Sequence, residues 1–328
     1  MPHVPFPKIP QFRDVLVAAR KKGITEIQAQ ITVKVHGTNA AIRFTPDGVI
    51  PQSRNLDLSL MRDNRGFAKF VAGLSDKVLD ILHAIADENG VVYGEWAGRG
   101  IQSGVAVSEV EPFFMLFGRE SDRLFAASRT LPLTVATPTW DEVITAAWEH
   151  QVVPLADARI TTAFYMSTVD LDLNDAVEVA RFTKELAAMC EVVEGECPIG
   201  RRYGVFGVGE GIVVDCGPEL GFFKVKGQKH SESKVKTLVP LDVEKVSSMR
   251  EFGDTVLTEP RLRRGMEFLR EQGLPLDRTS TGAYLSFVVK DVFEECADLF
   301  VASSLNDREA RKEIGTRARE FFMKEVAV

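Results

Sequence analysis

The stretch from Gln30 to Phe44, QITVKVHGTNAAIRF, constrains this chain more than any other segment, because β-branched and apolar residues alternate on both sides of a Gly37-Thr38-Asn39 turn. A period of two sends successive side chains to opposite faces, so the stretch predicts antiparallel strands and not a helix. A second turn, Pro46-Asp47-Gly48, extends that reading. Short β-rich runs return at VVYGEW, PFFMLF, GIVVDC and GFFKVK. Between them, Phe67, Phe70, Val71, Leu74, Val78, Ile81, Leu82 and Ile85 recur at helical spacing and predict one amphipathic helix ending near Asn89-Gly90. Asn174 to Met189 predicts another, begun by an Asn or Asp cap.

Past about Val239-Pro240 the strand signals stop. Long helical stretches follow, including TEPRLRRGMEFLREQG and TGAYLSFVVKDVFEECADLF. A chain of 328 residues exceeds one average domain. Two domains are therefore expected, 1–240 and 241–328, the second all-helical. No apolar run approaches the length of a membrane span, and MPHVPFPKIPQF has prolines where a signal peptide needs an apolar core, so the expected location is cytoplasmic. Cys190, Cys197, Cys216 and Cys296 never take a C-x-x-C spacing, which excludes a zinc ribbon or redox pair and leaves them as buried small hydrophobes. The net charge of -7 argues against coating nucleic acid by bulk charge; a nucleic-acid site would have to be a local basic groove.

Lys34 stands at a strand end, just before a glycine-containing turn, where it can project into a cleft. To attack a phosphate its amine must be neutral, a state that neighbouring cations or desolvation would favour. In isolation the same lysine reads equally well as a surface hairpin residue. Lys224 and Lys226 alternate along one strand, so both amines point to one face; without further context that is a solvated strand face. Glu210 ends a glycine-rich approach, GVFGVGEG, that fails the G-x-G-x-x-G pattern and lacks a strand-to-helix setting, so a dinucleotide fold is excluded.

Six strings, in order, change the weight of these readings. KVHGTN resembles the first motif of the RNA ligases, with histidine where DNA ligases and capping enzymes more usually have aspartate. Ser53-Arg54-Asn55 resembles the arginine motif that follows. YGEWAGRGIQ (93–102) is similar to the third motif, FFMLFG (113–118) to the aromatic motif after it, EGIVV (210–214) to the fourth and FFKVKG (222–227) to the fifth. The RNA ligase 2-like branch of the covalent nucleotidyltransferases matches best, through its GE-x-AG-x-GIQ string and the small helical domain after the fifth motif. One departure is Gly118-Arg119, where the family often has Asp-Ile.

The resemblance implies an α+β chain: an antiparallel-sheet, ATP-grasp-like nucleotidyltransferase domain followed by a small all-α domain. It implies that Lys34 is the nucleophile, that Lys224 and Lys226 neutralise the α-phosphate and lower the pKa of Lys34, and that Glu95 accepts hydrogen bonds from the ribose. Arg54 is expected on ribose or phosphate, Phe117 as the platform for adenine, His36 on phosphate or metal-bound water, and Glu210 on a divalent metal. The implied cofactors are ATP and Mg²⁺ (or Mn²⁺); ATP is preferred to NAD⁺ because little chain precedes Lys34 to hold a nicotinamide-binding domain. The implied partner is RNA, as a nicked duplex or broken ends, joined by a monomer through lysyl-AMP and RNA-adenylate intermediates. A DNA ligase or capping-type enzyme would usually append an oligonucleotide-binding β-barrel, against which the helical tail argues. A non-catalytic nucleic-acid-binding relative would lack Lys34 or Glu210. In the tail, Arg261, Arg263, Arg264, Arg311, Lys312, Arg317 and Arg319 read equally as phosphate contacts or as a solvated helix face.

Overall fold

The computed structural model describes residues 3–6, 9–86, 90–119, 157–217, 219–227, 249–296 and 306–326. The chain divides into two compact units, 1–227 and 228–328. The boundary expected at 240 lies outside the described residues, as does the expected helix end at Asn89.

In the first unit, α1 (Phe12–Lys22) precedes β1 (Glu26–Lys34), β2 (Thr38–Thr45) and β3 (Gly48–Ser53). Two short helices follow, α2 (Phe67–Ala72) and α3 (Asp76–Ala86), where the periodicity predicts one. The break has a local cause: the Gly73 N–H closes α2 on the carbonyls of Lys69 and Phe70, and the Ser75 carbonyl starts α3 by accepting from Val78 and Leu79. Then come β4 (Val91–Ala97), β5 (Phe113–Arg119), β6 (Ile160–Thr162), β7 (Tyr165–Asp172), α4 (Ala176–Gly195), α5 (Pro198–Arg202), β8 (Gly211–Asp215) and β9 (Phe222–Lys226). Asp175 caps α4, its carboxylate accepting from the N–H groups of Val177 and Glu178 at 2.7 and 3.3 Å, as the sequence led us to expect.

The strands form two sheets, ordered β3-β2-β4-β5-β6 and β7-β1-β8-β9. The five-stranded sheet is antiparallel except at β5–β6; the four-stranded sheet is antiparallel throughout. Alternation assigns each sheet two roles. One face of the five-stranded sheet, with Ile42, Phe44, Val92, Trp96 and Phe114, packs on α2 and α3 around the fully buried Phe67. One face of the four-stranded sheet, with Ile31, Val33, Ile212, Val214, Phe223 and Val225, is buried beneath α1 and α4, where Phe12 stacks on Phe223 at 4.7 Å between centroids and meets Phe182 edge-on. The opposite faces carry the polar residues. Phe6 touches both, lying 5.2 and 5.0 Å from the rings of Tyr93 and Phe117 and 6.3 Å from Phe222. Two sheets with their polar faces across a shared cleft follow from these contacts.

The second unit is helical: α6 (Met249–Val256), α7 (Glu259–Glu271), α8 (Thr281–Glu295) and α9 (Asp307–Glu325) surround their own core of Phe252, Leu269, Tyr284, Val288, Ile314 and Phe322. All four cysteines are free and buried. Among the described residues no helix is long and apolar enough to cross a membrane.

Candidate active site

The cleft is centred on Glu210, which is 3% exposed. Lys34 Nζ donates to its Oε2 at 2.7 Å, His36 Nδ1 lies 3.3 Å from the same oxygen, and Lys226 Nζ lies 3.5 Å from Oε1. Strand register makes this assembly. Lys34 on β1 pairs with Gly211 on β8, and Gly211 pairs with Lys226 on β9, so the two lysines flank the residue after Glu210 in one row across three strands. Lys224 opposite Val213 stands one pair further along the same face of β9, confirming that the alternating lysines share a face.

The other wall is Glu95. Its Oε1 accepts the Gly37 N–H at 3.1 Å, tying the turn after Lys34 to β4. A glycine is required there by close approach: a Cβ on Gly37 would lie 2.3 Å from the Trp96 carbonyl oxygen and 2.9 Å from Ala97 Cβ. The Gln102 side-chain amide donates to the Gly37 carbonyl at 3.3 Å, and Asn64 donates to the Thr38 hydroxyl at 3.3 Å. Neither residue was singled out from sequence. Gln102 ends the GRGIQ string, the one signal that pointed to it.

The two carboxylates titrate in opposite directions. Burial alone would raise both, since it penalises the charged form. At Glu210 the nearby Lys34, His36 and Lys226 outweigh burial and hold the carboxyl well below the usual glutamate range. At Glu95 burial prevails, with Lys34 opposing it and Glu210 adding to it, and the pKa is raised. A low-lying acid beside a raised one, in a cleft lined by amines, is the electrostatic signature of a functional site.

Of the sequence-predicted residues, the structure brings Lys34, His36, Glu95, Glu210 and Lys226 together. Among the described residues no hydrogen bond, ion pair or ring contact joins Arg54 or Phe117 to that group. Arg54 follows β3, and its carbonyl lies 3.1 Å from His3 Nε2; Phe117 packs edge-on to Phe6. Phe113 and Phe114 are core, as expected. In the helical unit the expectation for Arg261 is corrected. It is 1% exposed, pairs with Asp291 at 2.9 Å and donates to the Val256 carbonyl at 2.8 Å, so it is a core residue and cannot meet a phosphate. Arg263 and Arg311 pair within their own helices with Glu259 and Asp307, while Lys312 and Arg319 are exposed.

An α+β unit whose two sheets enclose a buried carboxylate, ringed by lysines and a histidine, is a nucleotidyltransferase-type domain. The RNA ligase family model matches residues 27–226, which span every element of this cleft; the chain belongs to the RNA ligase family. Its fold is similar to solved structures of an RNA ligase from Naegleria gruberi. A mutant form with ATP and Mn has 16% identity and a TM-score of 0.44, covering 70% of this chain and 58% of that one. A form with pyrophosphate has 18% identity, a TM-score of 0.42 and the same coverage. The chain thus spans less than two thirds of the length of those ligases. No curated protein matches it.

Proposed function

We propose that the protein is an ATP-dependent RNA ligase that joins 3′-hydroxyl and 5′-phosphate ends through lysyl-AMP on Lys34. The observation that carries this reading is the contact of Lys34 Nζ with buried Glu210, with Lys226 on the same carboxylate, at the strand end where the family match begins to matter chemically. Membership of the RNA ligase family supports RNA as the joined polymer.

In the first step Lys34 Nζ attacks the α-phosphorus of ATP, forming a P–N bond as the bond to pyrophosphate breaks, pyrophosphate leaves and the amine's proton passes to solvent. The ammonium paired with Glu210 has no lone pair to attack with. With a divalent ion in the place of Lys34 on that carboxylate, the amine would be released. Glu210 suits that exchange, because an ionised carboxylate deep in a cleft holds whichever cation is at hand. Mg²⁺, typically bound by one or two carboxylates together with substrate phosphates and water, would neutralise phosphate charge there. Glu210 is the one ionised carboxylate such an ion would use, with the rest of its shell left to phosphate and water, since among the described residues no three histidine, cysteine or acidic side chains cluster as a metal site. Lys226 and Lys224, on one strand face, stabilise charge developing on the α-phosphate.

The AMP then passes to a 5′-phosphate, breaking the P–N bond, and a 3′-hydroxyl finally displaces AMP to leave a phosphodiester. Each step is one of positioning and charge neutralisation. Phe117 would offer its ring to adenine, Arg54 its planar fork of donors to ribose or phosphate, and Glu95 its carboxylate to the ribose. His36 would contact phosphate or metal-bound water. The substrate would be a nicked RNA duplex or broken RNA ends.

The test is incubation with α-labelled ATP and Mg²⁺ or Mn²⁺. Label should attach covalently to the wild-type protein and not to Lys34→Ala; absence of a protein–AMP adduct with either metal would overturn the reading. Sealing of nicked RNA, nicked DNA and single strands at one salt concentration then ranks the substrates.

A further inference from the structure

Four residues before Glu210 the chain does something a stable domain ordinarily avoids. Phe206 is 73% exposed and Tyr203 48% exposed, and the exposed Arg201 and Arg202 that end α5 immediately precede them. Among the described residues the aliphatic pair Leu60 and Met61 is also exposed, but it carries no ring, and the other exposed apolar side chains are scattered single ones that need no explanation. Two rings and two guanidinium groups within six residues do.

The segment is also fixed. The Tyr203 and Val205 N–H groups both donate to the Gly200 carbonyl at 2.9 Å. The Cys197 N–H donates to Gly207 O at 2.7 Å, Ala106 N–H to Val208 O at 2.8 Å and Gly209 N–H to Val193 O at 2.9 Å. Tyr203 leans on the buried Phe113, ring centroids 5.7 Å apart and planes 33° apart, so the core supports its ring while nearly half of the residue faces solvent. Rings held out by a pinned backbone lose little entropy on binding, which is what a stacking platform needs.

We infer that Tyr203 and Phe206, with Arg202, form a platform for unpaired nucleotides beside the RNA end to be sealed. Every base has a face to stack on a ring, and the guanidinium groups suit the backbone phosphates. Charge complementarity is local: the chain as a whole is at -7, yet this segment carries two adjacent arginines, of which Arg201 pairs with Glu196 at 3.2 Å and Arg202 is exposed. Reach is right as well. Four residues span at most about 14 Å, so Phe206 is held within about four nucleotides of Glu210 at roughly 3.4 Å per stacked nucleotide. The inference rests on the ligase reading and selects, of its two substrates, broken ends with unpaired bases over a fully paired nick.

The experiment measures binding of fluorescent 5′-phosphorylated RNA, without ATP, to the full chain. One probe has unpaired nucleotides at the end and the other is a fully paired nick. Wild type should prefer the first. Phe206→Ala should bind it about tenfold more weakly and lose the preference, Phe206→Trp should bind like wild type, and Phe206→Leu should behave like the alanine variant. Arg202→Ala should lower the slope of log affinity against log salt by about 0.7, the share of one phosphate contact on a single strand. All four variants should still take label from ATP. Undiminished binding by Phe206→Ala, or full binding by Phe206→Leu, would overturn the platform; the latter, with altered self-association, would mark an apolar protein contact instead. If wild type takes no label but ring-dependent RNA binding persists, the ligase reading fails and the platform stands.

Discussion

Glu210 and Glu95 occupy one cleft and respond to pH with opposite signs. Glu210 is depressed in the folded protein, so its stabilisation is present above the unfolded glutamate value of about 4.3 and is lost as pH falls through the folded value. Glu95 is raised, so its contribution is complete below about 4.3 and is lost as pH rises through its folded value. Unfolding in urea followed by the fluorescence of Trp96, which is buried in the core of the first unit, reports on it. We expect Glu210→Gln to flatten the acid limb of the stability profile and Glu95→Gln to flatten the decline just above it. Wild-type profiles in both variants would remove the electrostatic account. At Gly37, an added methyl meets the Trp96 carbonyl at 2.3 Å and must push the turn off β4. Gly37→Ala should cost about 1–3 kcal/mol and abolish labelling by ATP, measured by denaturation and adduct formation on the same preparation. The lysine itself was legible in sequence. That its partner is a carboxylate was not, because 176 residues separate the two.

Among elements, the three-strand row Lys34–Gly211–Lys226 does the assembling. Gly211 takes a φ of +152°, and a Cβ there would lie 2.2 Å from the Val225 carbonyl oxygen, so β8 and β9 keep their register only with glycine at this point. Gly211→Ala should separate the strands, weaken the Lys226–Glu210 contact and reduce adduct formation, with a stability loss of about 1–3 kcal/mol by urea titration; unchanged adduct yield would show that the register is not essential. The strands themselves were readable from alternation. The split into α2 and α3 was not, because Leu74 continues the apolar spacing across the break while Gly73 and Ser75 end and restart the backbone hydrogen bonding.

For the whole molecule, two units with separate cores predict two unfolding transitions in calorimetry. Asp291→Ala would leave Arg261 buried without its ion-pair partner, and should lower the helical unit's transition by about 3–5 kcal/mol while leaving labelling of Lys34 by ATP intact. A shift of both transitions together would show the units to be one cooperative body. Arg261 illustrates the limit of reading charge from sequence: three arginines in four residues look like a basic face, and only helix packing turns one of them inward. The sequence by itself determined the strands, the order of the motifs, Lys34 as the candidate nucleophile and the helical character of the tail, because period, turn chemistry and motif order are local properties of the chain. The tertiary structure decided what surrounds Lys34. Pairing of β1 with β8 and β8 with β9 sets Glu210 and Lys226 beside it, closure of the two sheets brings Glu95 across, and the cations gathered on Glu210 lower its pKa while burial raises that of Glu95. Those are long-range contacts, fixed by register and packing and not by any residue's neighbours in sequence.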